Sequence, residues 1–322
     1  MAPTEATLTK WFDDHRAFLW GLSFRVTGSA ADADDVVQET FVKAHQHAPA
    51  QLADPRRWLT RVAVNVARDV LRRRKRRSYL GPWLPTPIET SGEDVPPSFE
   101  PVVEGQTLEG RYDLMESASL AFLQALEALS PTQRAVLLLR DVFDYTAAEV
   151  AAVLDTSEGN VRIIHHRARR AMDAYDGQQL RPSAPQRERT AKALQRFLAL
   201  LSAGDVHGIE RMLASDVRTV TDANGEFTAL FRPLVGRLRV AKFFAQFSES
   251  RRDEIVCAIR EVNGLPAADI EVASPRGRRP PRLLLSVDLN ANGEIVNIWV
   301  IASSSKLASL PLRDRVHRIA HR

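Results

Sequence analysis

Leu129-Ser-Pro-Thr-Gln-Arg-Ala-Val-Leu-Leu-Leu-Arg-Asp141, Tyr145-Thr-Ala-Ala-Glu-Val-Ala151 and Ser157-Glu-Gly-Asn-Val-Arg-Ile-Ile-His-His-Arg-Ala-Arg-Arg170 follow one another within the stretch from Leu120 to Tyr175. Ser130 is an N-cap with Pro131 at the first helical position, so a helix should begin there and turn Val136, Leu137 and Leu139 inward. Thr146 caps a second, short helix in which Ala147, Val150, Ala151 and Leu154 recur at helical spacing. Ser157 caps a third after a tight connection. A short helix, a tight turn and a basic helix form the helix-turn-helix pattern. In the third helix Val161, Ile164, Ala168 and Ala171 are expected to pack inward. Arg162, His165, His166, Arg167, Arg169 and Arg170 supply donors elsewhere, as a helix read into a major groove requires. Gly159 lies in its first turn, where glycine costs helix stability relative to alanine.

Working outward, the charge is strongly segregated. The chain has 322 residues and a formal net charge of only +4. Yet from Pro55 to Arg77 there are ten Lys or Arg residues against the one acid Asp69, and from Ser78 to Ser130 nine acids against one Arg. Such blocks suggest a nucleic-acid surface followed by an acidic connector. The length suits two or three domains. Cys257 is the single cysteine, which excludes an intramolecular disulfide, and it lacks the clustered partners of a zinc site. No apolar run reaches the roughly 18 residues of a membrane span and there is no signal-peptide core, so a cytoplasmic protein without membrane contact is expected.

Upstream, Leu8, Phe12, His15, Leu19, Leu22 and Val26 keep helical spacing. Ser29 with Asp32 opens a second helix with Ala33, Val37, Thr40 and Ala44 on one face, widened by Val36 and Phe41, while Asp34, Asp35 and Glu39 lie off it. Asp54-Pro55 starts a third helix, with Leu59, Val62, Ala63, Val66 and Val70 toward the core. Arg57, Arg61, Arg68 and Arg72 project elsewhere, and the helix runs into the basic stretch Arg72–Arg77, a phosphate-binding pattern.

Asp34-Asp35-Val36-Val37-Gln38-Glu39-Thr40-Phe41, the Trp58–Asn65 helix and the Ser157–Arg170 helix together resemble an extracytoplasmic-function sigma factor of the sigma-70 family, over about Leu8 to Tyr175. The resemblance implies two all-α domains: region 2 (residues 1–77), which binds the polymerase clamp helices and the −10 element, and region 4 (116–177), which binds the −35 element and the polymerase flap. It implies that Asp34, Asp35 and Glu39 face core polymerase. Arg57, Arg61, Asn65 and Arg68 would serve the −10 element, helped by the loop from about His47 to Asp54. Ser157, Asn160, Arg162, His165, His166, Arg167 and Arg170 would serve the −35 element.

Between these regions, residues 78–115 form an acidic, Pro-rich linker, with six prolines from Pro82 to Pro101 arguing against regular structure. Tyr79-Leu80-Gly81-Pro82-Trp83-Leu84-Pro85-Thr86-Pro87 resembles the linker of the sigma subgroup fused to a SnoaL-like domain, and Trp83, Leu84 and Pro85 read as a docked anchor. Beyond Asp176, a helix from about Gln186 to Leu201 and a shorter one capped by Asp205 precede expected strands at Val217–Thr221, Glu226–Phe231, Glu254–Val262, Ala268–Ala273, Leu283–Leu289 and Glu294–Ala302. Gly236 opens a helix holding Val240, Phe243, Phe244 and Phe247. Asn263-Gly264 and Asn290–Gly293 are hairpin signals. Helices over a curved antiparallel sheet give an α+β domain over 186–312 resembling the cone-shaped SnoaL-like (NTF2-like) fold, followed by a basic tail, 313–322. The family's glycine-rich turn corresponds to Asp222–Glu226, including Gly225, and its late Asn-Pro-Asp-Lys-Leu to Ser303–Leu307. The resemblance implies interdomain control through Trp83, Leu84, Pro85, Asp222 and Gly225.

Asp216, Asp222 and His207 are candidate bases by residue type, but no spacing gives any of them a partner, so no catalysis and no cofactor or metal is expected. The expected function is promoter recognition and transcription initiation with core RNA polymerase and promoter DNA as partners. The alternative is a helix-turn-helix regulator whose C-terminal pocket senses a small-molecule metabolite. A polymerase-binding bundle separates the two.

Overall fold

The computed structural model describes residues 3–49, 51–76, 79–90, 112–176, 182–249, 255–273, 275, 277–312 and 318–319. The side chains of 75–76 and 247–249, and hence the Phe247 expectation and the end of the basic run, lie outside that description, as does most of the basic tail. The chain divides into two compact units, one of Met1–Ser78, Val95–Ala118 and Phe122–Ala174, the other of Tyr79–Asp94, Ser119–Ala121 and Tyr175–Arg322.

The first unit is helical, with α1 (Glu5–Thr27), α2 (Ala30–His47), α3 (Pro55–Arg76), α4 (Leu120–Ala125) from Phe122 on, α5 (Pro131–Asp141), α6 (Ala147–Leu154) and α7 (Glu158–Asp176) up to Ala174. Local chemistry sets the starts. Ser29 Oγ accepts from the Asp32 amide. Ser130 with Gln133 and Thr146 with Glu149 form reciprocal capping boxes. Ser157 Oγ accepts from the Asn160 amide. α3 is buried on two sides rather than one: Leu59, Ala63 and Val66 are buried, and so are Thr60, Val64, Ala67 and Leu71. The second side meets α5 and α6, where Thr60 Oγ1 lies 3.2 Å from Tyr145 Oη and Arg68 Nη2 donates to Thr132 Oγ1 at 3.0 Å. Buried Arg25 ties α1 to the 114–117 turn, donating to Ser117 Oγ and the Leu114 carbonyl at 2.7 and 2.8 Å. Two expectations need correcting. Phe12 is exposed and its neighbour Trp11 is buried. In α7 Met172, not Ala171, is buried, because the inward row runs Val161, His165, Ala168, Met172.

The second unit is α+β. Among its described residues α8 (Ala184–Ser202), α9 (Val206–Met212) and α10 (Arg237–Glu249) accompany a sheet of β1 (Leu213–Asp222), β2 (Leu234–Val235), β3 (Ile255–Val262), β4 (Leu265–Val272), β5 (Arg282–Leu289), β6 (Ile295–Ile301) and the two-residue β7 (Arg318–Ile319), with short α11 at Ser304–Leu307. The strand order is β2-β1-β6-β5-β4-β3-β7. The sheet is mixed, not purely antiparallel as expected: β1 and β6 run parallel, Val220 opposite Trp299, since the whole hairpin series separates them. Asn263 and Gly264, at φ 52° and 80°, make the expected tight hairpin turn, so β4 starts at Leu265. The expected strand at Glu226–Phe231 is a loop. Asn224 and Gly225 turn the chain at positive φ, and the Thr228 amide donates to the Arg278 carbonyl instead of a strand partner. One sheet face packs Leu283, Leu285 and Val287 against Leu194, Phe197, Val240 and Phe244. The opposite face carries Val220, Leu284, Trp299 and Ile301.

Candidate nucleic-acid interface

α7 presents two different sides because its apolar residues recur at three- and four-residue spacing. Val161, Ala168 and Met172 are fully buried, while Ser157, Asn160, Arg162, His166, Arg167 and Arg170 are exposed. His165 is only 14% exposed at its side chain and turns Nε2 to Asp141 Oδ1 at 2.8 Å. Arg169 donates to both oxygens of the same carboxylate at 3.0 and 2.7 Å. Burial by itself would raise the Asp141 pKa, but the hydrogen bonds from His165 and Arg169 outweigh it and hold the group below its ordinary value. Asp141 ends α5, so one buried carboxylate fixes the pitch of the basic helix against the scaffold. That turns His165 inward, away from the exposed row of Ser157, Asn160, Arg162, His166, Arg167 and Arg170. Arg162 is held by Glu158 at 2.8 Å, an exposed pair that a phosphate can replace at little cost.

On α3, Arg57, Arg61 and Asn65 are exposed, whereas Arg68 is half-buried between Asn65 Oδ1 and Thr132. Burial and neighbouring Arg72 lower the Arg68 pKa. Arg61 lies 3.5 Å from Asp155. On α2, Asp34, Asp35 and Glu39 are exposed as expected; Asp34 Oδ1 accepts from Trp20 Nε1 at 2.8 Å and Glu39 pairs with Lys43 at 2.9 Å.

In the second unit, residues 79–90 form a strap along the sheet. The strap is irregular apart from one antiparallel bridge, Glu89 to Val262. Leu84 is 1% exposed beside Val220, Trp299 and Leu307, Pro85 is buried, and Trp83 is half-buried. The Asp222 carboxylate collects the strap: it accepts from Tyr79 Oη at 2.6 Å, the Leu84 amide at 2.7 Å and Lys306 Nζ at 2.5 Å. Lys306 also donates to the Leu84 carbonyl and sits over the Trp83 ring at 4.4 Å. Gly225, at φ +71°, lies so near Leu80 that an added Cβ would come within 2.7 Å of its side chain. Farther along, Ile88 donates to Asn263 Oδ1 and Thr90 to the Glu261 carbonyl, at 3.1 and 2.9 Å. Glu89 pairs with Arg260, whose side chain is 0% exposed; Arg260 also holds Asp269 at 2.9 Å, and Asp269 in turn holds Arg282. Sequence reasoning singled out Trp83, Leu84, Pro85, Asp222 and Gly225, which lie in or against the strap, and did not single out Asp141, Glu89 or Arg260. Their partners are remote in the chain and follow no periodic pattern.

The candidate bases do not assemble. Asp216 and His207 are exposed, and Asp222 is taken up by Tyr79, Leu84 and Lys306. Among the described residues no group of three or more His, Cys, Asp or Glu could hold a metal, and no helix is long and apolar enough to cross a membrane.

Comparison with known proteins agrees with this architecture. Residues 11–77 match the family model for Sigma-70 region 2 and residues 119–172 that for Sigma-70 region 4. The ECF RNA polymerase sigma factor SigJ of Mycobacterium tuberculosis is 31% identical over 309 residues, covering 94% of each chain. The ECF sigma factor SigG of the same organism is 33% identical over 228 residues, 63% of this chain and 58% of that protein. The crystal structure of the M. tuberculosis sigma factor SigJ matches with a TM-score of 0.68 at 27% identity, covering 95% of this chain and 100% of that one. A two-region helical unit with a basic helix, continued by an α+β domain and matched over 94% of its length by such a relative, places this chain in the extracytoplasmic-function family of RNA polymerase sigma factors.

Proposed function

We propose that this sigma factor reads the −35 element with the exposed row of α7 and the −10 element with Arg57, Arg61 and Asn65 of α3. Core polymerase is engaged through Asp34, Asp35 and Glu39 at the clamp helices and by region 4 at the flap, and the SnoaL-like domain sets activity in cis. The observation that carries the last part is the strap. The segment that joins region 2 to region 4 in the chain is held by Asp222, Lys306 and Arg260 of the C-terminal domain. Docking of that segment shortens the free tether between two DNA-binding regions and so biases the spacing they can span. Burying Leu84 contributes roughly 1.5–3 kcal/mol, enough to tip a closely balanced equilibrium.

Control by contact is favoured over metabolite sensing. Among the described residues the helices and the sheet pack apolar side chains against each other, Phe197, Phe244, Val240, Ile270 and Leu285 among them. Cys257 sits there too, and burial pushes its thiol up to about 11, so it is a packing residue rather than a reactive one.

The test is transcription by core polymerase with the purified protein on a promoter library, comparing the intact chain with a truncation after Asp176 and with Trp83→Ala. Altered transcription per bound polymerase in both supports cis control. Unchanged output in both, over a range of salt, refutes it. Permanganate footprinting of Arg61→Ala and Asn65→Ala tests the −10 assignment, which normal opening would remove.

A further inference from the structure

α7 exposes one large apolar side chain amid its charges. Ile163 is 53% exposed. Gly159, Ile163, His166 and Arg170 are four and three residues apart, so they form one outward stripe, flanked by Arg162 and Arg167, all exposed. The inward row of Val161, Ala168 and Met172 already satisfies the core, so nothing in the packing of this unit calls for isoleucine at 163.

Gly159, one turn before Ile163, is the second observation. Its φ is not in the left-handed region, and a Cβ built there would meet nothing within 4 Å. Glycine lowers helix stability, and here the fold gains nothing from it. It does remove bulk from the first turn, the end of a recognition helix that lies nearest the base edges. A bare backbone followed by an apolar knob, with basic donors on either side, matches the major-groove edge of thymine. That edge carries a C5-methyl group beside hydrogen-bonding atoms, and phosphates lie within reach of the flanking arginines.

We propose that Ile163 is a specificity-determining residue that packs on the C5-methyl of a thymine in the −35 element, with Gly159 supplying the clearance for the helix to sit that deep. The inference rests on the assignment of α7 to the −35 element. The stripe supplies apolar contact at its centre and charge at its edges, so Ile163 discriminates between bases while Arg162 and Arg167 hold the duplex.

The experiment uses holoenzyme, the full chain with core polymerase, and a promoter fragment it selects from a library. Each thymine of the −35 element is replaced singly by deoxyuridine, which removes the methyl and leaves every hydrogen-bonding atom. At one thymine the replacement should weaken binding by wild-type holoenzyme about fourfold, the worth of one buried methyl-sized group. Ile163→Ala should bind the thymine and uracil forms of that site equally, while Ile163→Val should keep part of the preference. Because Ile163 is exposed, an unchanged helical circular-dichroism signal will accompany these variants. Uracil penalties identical in wild type and Ile163→Ala, or no penalty anywhere in the element, overturn the proposal. If Arg162→Ala and Arg167→Ala also leave promoter selectivity untouched, the −35 assignment of α7 fails with it; if they impair selectivity while the uracil map stays the same, only the role of Ile163 fails.

Discussion

Removing the Asp222 carboxylate should release the strap. In the docked state that group accepts from the Leu84 amide, Tyr79 Oη and Lys306 Nζ at 2.5–2.7 Å, and it is itself fully buried. Asp222→Ala breaks the ion pair that Lys306, 10% exposed at its side chain, makes with Asp222. Stripping one partner from a buried ion pair costs about 3–5 kcal/mol, because the remaining charge stays desolvated. Undocking the strap rehydrates Lys306, so most of that cost falls on the docked state. About 3 kcal/mol corresponds to a roughly 150-fold larger population of the undocked strap. Hydrogen exchange of peptides covering 79–90 reads this directly, since the Leu84, Ile88 and Thr90 amides are bonded to Asp222, Asn263 and Glu261. Peptides from β4 and β5 serve as the internal reference. Pairing Asp222→Asn with Lys306→Met should recover much of the protection, as neither buried charge is then left alone. Strap exchange within threefold of wild type in Asp222→Ala would show that the carboxylate does not hold the segment, and would remove the physical basis of control through it.

Arg260→Leu should act at the other end of the strap, where it breaks the buried ion pairs with Glu89 and Asp269; a loss of about 3–5 kcal/mol by denaturant unfolding is expected, with faster exchange at Ile88–Thr90. Asp141→Asn should lower −35 affinity while core binding is retained, because His165 and Arg169 lose the charge that orients α7. The same pKa depression means that the stability Asp141 contributes is present above about pH 4 and is lost as the pH falls through its lowered folded value, so the acid limb of unfolding should flatten in the variant. Asp288 behaves in the opposite sense. Burial pushes it up to about 6 despite hydrogen bonds from Trp299 and Asn297, so the folded chain binds the extra proton and stability falls between about pH 4 and 6. Asp288→Asn should remove the part of that decline that lies above pH 5, roughly 1 kcal/mol, when unfolding is compared at pH 5 and 7.5. Finally, Asp34→Lys with Asp35→Lys should weaken core association in a pull-down with helicity intact, and unchanged association would clear this face of α2.

The helices of the first unit were legible in the sequence because their signals act within one turn. Ser130 reaches Gln133 and Thr146 reaches Glu149 three residues on, so residue type and spacing alone place both helix starts. Asn263-Gly264 is equally local, and it set the hairpin between β3 and β4. The apolar periodicity of α2 named its buried face correctly. Tertiary structure decided the rest, and the reason is distance along the chain. The Leu84 amide meets Asp222 across 138 residues, and Arg260 meets Glu89 across 171. No period of 2 or 3.6 encodes such pairs, and an Asp or Arg bound for a buried ion pair looks in sequence like any surface charge. The same holds for Glu226–Phe231, whose alternation reads as a strand. The positive φ at Asn224 and Gly225 and the hydrogen bond to Arg278 make it a loop. For His165 the sequence supplied a basic helix, and only the packing of α5 against α7 showed which of its nitrogen-bearing side chains face a buried carboxylate and which stay exposed.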